Sequence, residues 1–161
     1  MRWRVGILTA SDKGASGERE DVSGQVIREM MLDIGAEVVE YRVVPDEFDI
    51  LHDSMVCYCD EYKLDLLLTT GGTGLAKRDV TPEATLAVID RQVPGMAEAM
   101  RAASLEKTKY AMLSRSVVGT RGSTLIINLP GSPKGVRECL EVLTPVLPHA
   151  LEILSGMMGE H

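Results

Sequence analysis

The stretch Leu64-Asp65-Leu66-Leu67-Leu68-Thr69-Thr70-Gly71-Gly72-Thr73-Gly74 decides the fold. Its first part is a nearly continuous apolar run, which is typical of a strand buried on both faces of a parallel sheet. The glycines that follow allow a sharp turn that exposes consecutive backbone N–H groups. Such a turn binds anions, of which phosphate is the commonest in biology. It is neither a Walker loop nor a G-x-G-x-x-G fingerprint, and taken alone it is also compatible with a plain tight turn.

Strand and helix patterns alternate on both sides of this stretch. Further strands are predicted at Arg4–Thr9, Glu37–Val44, Ala111–Thr120 and Thr124–Leu129. Helices are predicted between them, the first with a buried stripe of Val22, Val26, Met30 and Ile34. The order predicts one domain over residues 1–161, a three-layer α/β/α fold with a mainly parallel sheet. In such folds ligands bind beyond the carboxyl ends of the strands.

A charged segment, Lys77-Arg78-Asp79-Val80-Thr81-Pro82, follows the glycine loop. Thr81 is a suitable N-cap for the next helix, and Pro82 suits its first position. Asp79 therefore lies at a helix start beside a phosphate-suited loop, where it could hold a magnesium ion that bridges phosphate oxygens. The alternative is that Asp79 only favours the positive end of the helix.

A second element of the same kind is Asn128-Leu129-Pro130-Gly131-Ser132-Pro133-Lys134. It again runs from a strand through a glycine turn to a helix start, with Ser132 as the cap and Lys134 available to an anion. Two such elements indicate a ligand with two charged ends, or two ligands. The alternative is an ordinary turn between a strand and a helix with an incidental lysine.

Other polar residues are predicted at or near the same edge of the sheet. Ser11 and Asp12 follow the first strand, and Asp46 follows the second. Asp46 suits either a helix cap or a second carboxylate that faces a metal. Ser114-Arg115-Ser116 could offer a guanidinium fork to a phosphate, or could be a solvated strand edge.

The composition is acidic, with 17 Lys+Arg against 24 Asp+Glu and a net charge of −7 over 161 residues. This balance excludes a nucleic-acid binder that relies on a basic footprint. Most of the carboxylates are expected on solvated helix faces, such as Glu18–Asp21 and Asp60-Glu61. The chain shows no signal-peptide core and no apolar run long enough to span a membrane. We therefore expect a cytoplasmic protein without a membrane partner.

Three motifs together resemble the MogA/MoaB family of molybdenum cofactor biosynthesis, which includes the G domain of gephyrin. They are Leu67–Gly74, Arg78–Ala84 and Asn128–Lys134, and Ser11-Asp12 and Pro45-Asp46-Glu47 add to them. The resemblance covers about residues 5–154. It implies a molybdopterin adenylyltransferase that uses Mg²⁺ and ATP to transfer AMP to the terminal phosphate of molybdopterin and releases pyrophosphate. It also implies a homotrimer and, downstream, the molybdate-inserting enzyme as a possible partner. The alternative is a member of the same family that binds pterin or nucleotide without catalysis.

The resemblance also assigns residues. Asp79 and Asp46 correspond to the catalytic, magnesium-binding aspartates. The Gly71–Gly74 loop would face the nucleotide phosphates, and the later motifs would face the pterin or its phosphate. The full predicted binding set is Ser11, Asp12, Gly71, Gly72, Thr73, Gly74, Thr81, Ser114, Arg115, Asn128, Pro130, Gly131, Ser132 and Lys134. A Rossmann-like oxidoreductase is disfavoured, because no glycine cluster follows the first strand.

Overall fold

A six-stranded sheet forms the centre of the protein in the computed structural model, which describes residues 2–157. The strands are β1 Arg4–Ala10, β2 Glu37–Val44, β3 Leu66–Thr70, β4 Arg91–Gln92, β5 Val118–Arg121 and β6 Thr124–Leu129. Their order across the sheet is β2-β1-β3-β6-β5-β4. The first four of these are mutually parallel, β5 runs antiparallel to β6, and β4 runs antiparallel to β5. β2 is thus an edge strand, and none of its side chains is fully buried.

Helices cover both faces of the sheet. They are α1 Asp12–Ala15, α2 Val22–Asp33, α3 Phe48–Val56, α4 Thr81–Val88, α5 Pro94–Leu105, α6 Pro133–Leu143 and α7 Leu147–Ser155. A π-helical turn at Cys57–Glu61 continues α3, and a 3-10 turn lies at Lys109–Leu113. Helices α2, α5, α6 and α7 pack on one face, whereas α3 and α4 pack on the other. The predicted three-layer architecture with a mainly parallel sheet is confirmed.

The side chains of β3 explain why its sequence is apolar throughout. Leu66 and Leu68 lie in the core under α2, α5, α6 and α7, while Leu67 lies in the core under α3 and α4. Successive side chains of a strand point to opposite faces, so a central strand needs apolar residues at every position. The prediction of a strand buried on both faces is confirmed.

One predicted strand boundary and one predicted helix face are wrong. The strand predicted at Ala111–Thr120 begins only at Val118, because residues 109–113 form a 3-10 turn and the N–H groups of Arg115 and Val117 donate to the Thr73 carbonyl and the Asn128 side chain instead of to a neighbouring strand. The buried stripe of α2 consists of Ser23, Ile27 and Met31 rather than the predicted Val22 series.

Val22 and Ile34, the two ends of the predicted stripe, are 46% and 42% exposed. The stripe is rotated because Ser23 points into the protein, where its hydroxyl donates to the carbonyl of Gly131 at 2.6 Å. None of the helices within residues 2–157 is both long and apolar enough to cross a membrane.

Candidate active site

The four parallel strands end at one edge of the sheet, and their loops surround a cavity of about 540 Å³. We call it the aspartate cavity, since three aspartates line it. Its walls include Asp21, Asp46 and Asp79, with Ser11, Gly71, Gly72 and Gly131 among the predicted binding residues. These residues are far apart in sequence and meet because β2, β1, β3 and β6 are neighbours in the sheet. The crevice lies where the strand order reverses, the usual ligand site of an open α/β sheet.

Asp46 is held by a reciprocal pair of hydrogen bonds with Asp12. The Asp12 N–H donates to Asp46 Oδ2 at 3.1 Å, and the Asp46 N–H donates to Asp12 Oδ1 at 3.0 Å. The other carboxylate oxygen, Asp46 Oδ1, is buried and has no hydrogen-bond partner among the described residues. Burial raises the pKa of the Asp46 carboxyl, the charges of Asp12 and Asp79 raise it further, and the bond from Asp12 opposes the rise. An unpaired buried carboxylate oxygen is costly, so a cation or donor on this atom would relieve the cost.

Asp12 itself does not line the aspartate cavity. Its carboxylate accepts two hydrogen bonds from Arg78, Nε to Oδ2 at 2.6 Å and Nη2 to Oδ1 at 2.8 Å. The Arg78 hydrogen bond lowers the pKa of Asp12 below its usual value. The structure therefore gives Asp12 a structural role: it links the loop after β1 to Asp46 and to the Arg78 segment.

Asp79 reaches the aspartate cavity from the loop between β3 and α4. Its Oδ2 accepts from the N–H of Ala76 at 3.0 Å, and its N–H donates to the carbonyl of Ala76 at 3.0 Å. A Cβ atom at Gly74 would lie 2.9 Å from Asp79 Oδ2, so this glycine leaves room for the carboxylate. Asp46 and Asp79 share one cavity, as predicted, and the charge of Asp79 raises the pKa of Asp46.

The glycine loop follows β3 with two residues in the left-handed region, Gly71 at φ 91° and Gly72 at φ 69°. A side chain at Gly71 would collide with the carbonyl oxygen of Ala10, and one at Gly72 would collide with the Thr81 hydroxyl. Both glycines are therefore required by conformation and by space.

Thr81 is not the helix cap that the sequence predicted. It is the first residue of α4, and its N–H donates to the carbonyl of Gly72 at 3.2 Å. The preceding residue, Val80, has no polar side chain with which to cap the helix. The hydroxyl of Thr81 is fully buried behind Gly72 and has no partner within residues 2–157.

The donor set of the aspartate cavity fits a magnesium ion. In the described part of the chain there is no group of three or more His, Cys, Asp or Glu side chains placed to hold a metal. Mg²⁺, however, is usually held in nucleotide sites by one or two carboxylates together with substrate phosphates and water. Asp46, with its unpaired buried oxygen, and Asp79 supply such a pair.

A second cavity, of about 380 Å³, lies on the other side of the glycine loop. We call it the lysine cavity, since Lys107 and Lys134 line it together with Arg101. Of the predicted binding residues it contains Thr73, Gly74, Ser114, Pro130, Ser132 and Lys134. Glu138, also in its wall, lies 3.8 Å from the Lys107 ammonium and 4.0 Å from that of Lys134. The loop from Gly71 to Gly74 thus separates two cavities, with two of its residues in each.

Four predicted binding residues line neither of these cavities: Asp12 and Thr81, described above, and Asn128 and Arg115. Asn128 is fully buried, and its amide donates to the hydroxyls of Thr69 at 3.0 Å and Thr85 at 2.9 Å. Its Oδ1 accepts from Val117 N–H at 3.1 Å, so the side chain joins β3, the segment before β5 and α4 instead of facing a ligand. The guanidinium of Arg115 is likewise turned towards the protein.

Among the cavity residues that sequence reasoning missed are Glu20 and Asp21, which it placed on a solvated face, and Arg101 and Lys107 of the lysine cavity. Asp21 has the most contacts of functional interest. It is the N-cap of α2, accepting from the Gly24 N–H at 3.0 Å. Its Oδ2 also accepts from the Thr9 hydroxyl at 2.7 Å and from the Tyr41 hydroxyl. Burial, together with the bond to Asp21, raises the pKa of Tyr41. The signal was an aspartate directly before an apolar helical pattern, the usual composition of an N-cap.

This fold and site define a class of protein. Residues 6–149 match the family model described as a probable molybdopterin binding domain, and the chain belongs to this molybdenum cofactor biosynthesis family.

Individual relatives agree with this assignment. A molybdopterin adenylyltransferase of Helicobacter pylori strain J99 is 46% identical over 154 residues, which cover 94% of this chain and 88% of the relative. One of Escherichia coli K12 is 44% identical over 140 residues, 86% of this chain and 72% of the relative. The crystal structure of the molybdopterin biosynthesis enzyme MoaB from Thermus thermophilus is 56% identical and superimposes with a TM-score of 0.91, covering 96% of this chain and 97% of that one.

Proposed function

We propose that this protein is a molybdopterin adenylyltransferase, which transfers AMP from ATP to the terminal phosphate of molybdopterin in molybdenum cofactor biosynthesis. Family membership and the names of the relatives support the activity. The observation that carries the proposal is Asp46 Oδ1, a buried carboxylate oxygen without a partner among the described residues, in the same cavity as Asp79 and the glycine turn. A pure binding module has little need to bury an unpaired carboxylate beside a phosphate-suited loop.

The two cavities suit two substrates that react with each other. Gly71 and Gly72 line the aspartate cavity, whereas Thr73 and Gly74 line the lysine cavity. Ligands in the two cavities would therefore approach the same loop from opposite sides. Holding two reactants next to each other is a large part of the rate enhancement in group transfer.

The reaction requires little proton transfer from the protein. An oxygen of the terminal phosphate attacks the α-phosphorus of ATP, a new P–O bond forms, and the bond to the β-phosphate oxygen breaks to release pyrophosphate. The attacking phosphate is already ionised at neutral pH, so no strong general base is needed. The backbone N–H groups of the glycine turn and the helix starts orient the phosphates.

Asp46 and Asp79 are proposed to hold the magnesium ion. When bound, the ion would neutralise the negative charge that develops on the pyrophosphate leaving group. The chain's own contribution is to fix two carboxylates beside the phosphates. Without a cation between them, these carboxylates would repel the phosphates.

The cellular location, the oligomeric state and the next enzyme in the pathway are part of the same proposal. The resemblance to the family supports a cytoplasmic homotrimer that passes its adenylylated product to the molybdate-inserting enzyme. Sedimentation analysis of the purified protein tests the trimer, and a monomer at working concentration would contradict it.

The activity is tested by incubating the protein with molybdopterin, ATP and Mg²⁺ and measuring pyrophosphate and adenylylated pterin. We expect the two products in equal amounts, and no release when the magnesium is chelated or the pterin is omitted. Pterin binding without pyrophosphate release would instead identify the non-catalytic alternative.

A further inference from the structure

Arg115 connects the two ends of the loop that carries Asp79. Its Nε donates to the carbonyl of Gly74 at 2.8 Å, and its Nη2 donates to the carbonyl of Asp79 at 2.7 Å. The backbone N–H of Arg115 also donates to the carbonyl of Thr73 at 3.0 Å. One residue from the segment before β5 therefore fixes the loop where it leaves the glycine turn and where it reaches α4.

The guanidinium is itself anchored. Its Nη1 donates to Glu83 Oε2 at 2.6 Å, and Glu83 lies in the first turn of α4. The planar fork of an arginine can bond several acceptors in fixed directions at once, which a lysine ammonium on a flexible stem cannot do. Arg115 thus holds Gly74, Asp79 and α4 in one arrangement.

Between these two anchors the loop has one other side-chain tie to the rest of the described chain, the two hydrogen bonds from Arg78 to Asp12. Residues 75–78 are exposed, and the hydrogen bonds of Asp79 with Ala76 lie within the loop itself. The Arg78 bonds hold the middle of the loop, whereas the backbone of Asp79 itself is held by Arg115. The position of the Asp79 carboxylate relative to Asp46 therefore depends on the Arg115 bonds as well. A displacement of about 1 Å in a catalytic constellation can reduce turnover by about a hundredfold.

We propose that Arg115 is a positioning residue, which holds Asp79 in the aspartate cavity through the carbonyls of Gly74 and Asp79 and does not contact a substrate phosphate. Its guanidinium lines neither the aspartate cavity nor the lysine cavity. This inference rests on the proposed function, in which Asp79 acts on the transferred group, and it replaces the phosphate-binding role that the sequence suggested for Arg115.

Arg121 provides a matched control on the same part of the chain. It too combines a carboxylate, Asp60, with a backbone carbonyl, that of Val88, at 2.8 to 3.0 Å. It is similarly placed with respect to solvent, with 28% of its side chain exposed against 35% for Arg115. It lines neither of the two cavities.

The experiment compares Arg115→Lys with Arg121→Lys in the full-length chain. For Arg115→Lys we expect kcat of AMP transfer to fall by about ten- to a hundredfold, while KM for ATP and for molybdopterin stays within about twofold. Amide hydrogen exchange of residues 74–80 should become at least about tenfold faster. For Arg121→Lys we expect kcat and the exchange of residues 74–80 to remain as in the wild type.

Two results would overturn the inference. One is a raised KM for either substrate with kcat and exchange unchanged, which would make Arg115 a direct phosphate ligand. The other is an Arg115→Lys protein that behaves like Arg121→Lys in both measurements. If the wild type transfers no AMP, the proposed function fails, and the exchange measurement alone still decides whether Arg115 fixes the loop.

Glu83→Gln covers the case in which Arg115→Lys does not fold. This change leaves both carbonyl bonds in place and removes only the charge that anchors the guanidinium. We expect kcat to fall by about two- to threefold, with faster exchange of residues 74–80. Wild-type values of both quantities in Glu83→Gln would count against the inference.

Discussion

The two strand–glycine–helix elements look alike in sequence but are built differently. In the element that joins β6 to α6, Ser132 caps the helix by accepting from Gly135 N–H at 3.1 Å, so the helix terminus is satisfied locally, while Ser23 and Thr70 bond to the carbonyls of the turn before it. In the element that joins β3 to α4, no side chain caps the helix, and the Thr81 hydroxyl is buried without a partner in the described chain. Long-range bonds from Arg115 hold that loop instead.

The two elements differ in whether their buried polar groups have hydrogen-bond partners. The element after β6 satisfies its helix terminus with the nearest side chain and gains stability from it. The element after β3 leaves the buried Thr81 hydroxyl unpaired, and Asp46 at the end of β2 leaves a second buried oxygen unpaired in the aspartate cavity. Such unpaired groups lower stability and are typical of a functional site. Substituting the polar side chains of the two elements should therefore change mainly activity in the element after β3 and mainly stability in the element after β6.

Asp79→Ala should have the largest effect. Removing this carboxylate takes away half of the proposed magnesium pair, so AMP transfer should fall by at least about a hundredfold. Pterin binding should stay within about twofold, because most of the residues that the resemblance assigns to the pterin, Ser114 and Lys134 among them, line the lysine cavity and Asp79 does not. Rates of pyrophosphate release and equilibrium pterin binding check both statements. An alanine variant with normal transfer would remove Asp79 from the catalytic machinery.

Gly72→Ala should disturb both the fold and the site. The left-handed backbone and the collision with the Thr81 hydroxyl predict a loss of roughly 1–3 kcal/mol in the free energy of unfolding. The new methyl group would also lie 3.2 Å from Asp46 Oδ1. Gly122→Ala is the matched control, because Gly122 has a φ of 56° but nothing within 4 Å of the added atom. Equal losses in urea unfolding would mean that the collision costs nothing.

Asp46→Asn should separate stability from activity. Because the pKa of Asp46 is raised in the folded protein, its ionised form destabilises the fold. This penalty is absent below the unfolded pKa, about 3.9, and it develops as the pH rises through the folded pKa. The variant should therefore gain about 0.5–2 kcal/mol of stability at pH 7 and little at pH 4, while AMP transfer falls about tenfold or more.

Urea unfolding of wild type and Asp46→Asn at the two pH values measures this difference. In the wild type, the acid limb of kcat/KM, which reports the free enzyme, should lie above the pH expected for an ordinary carboxyl, since Asp46 has to be ionised to act. The prediction is contradicted if Asp46→Asn has a lower free energy of unfolding than the wild type at pH 7, or gains more over the wild type at pH 4 than at pH 7.

The smallest expected effects are changes in the free energy of unfolding caused by substitutions at the N-termini of α6 and α4. Ser132→Ala should lose about 1 kcal/mol of unfolding free energy, because it removes a cap. Thr81→Val should lose none, because the hydroxyl that it removes bonds to no described atom. Chemical denaturation of both variants and the wild type measures these changes in the free energy of unfolding. A loss for Thr81→Val as large as that for Ser132→Ala would show that a partner such as a buried water satisfies the Thr81 hydroxyl.

Local patterns predicted the architecture well because they act over a few residues. The apolar run before Gly71, for example, indicates a strand buried on both faces without any knowledge of its neighbours. The same reasoning placed Asp46 and Asp79 at one edge of the sheet, and the structure brings both into one cavity.

Local sequence patterns could not predict contacts between residues that are distant in the sequence. The inward positions of Asn128 and Arg115 depend on partners from other elements, among them Thr85 and Glu83 in α4. Nothing in the sequence around Asn128 or Arg115 distinguishes a side chain that serves a ligand from one that serves the fold. Asp21 was missed for a similar reason, since its contact with Thr9 forms only when α2 packs on the sheet.

The strand that delivers Asp46 is the least protected strand of the parallel group. β2 has one neighbour, and none of its eight side chains is fully buried. Local opening is easiest where buried contacts are few, so the end of β2 should detach more often than the strands beside it. Beyond its pairing with β1, the bond from Ser11 N–H to the Val44 carbonyl, at 2.9 Å, and the two bonds between Asp12 and Asp46 secure this end. A ligand that requires Asp46 binds only when the end of β2 is attached to the sheet. Its binding should therefore make detachment of this strand rarer.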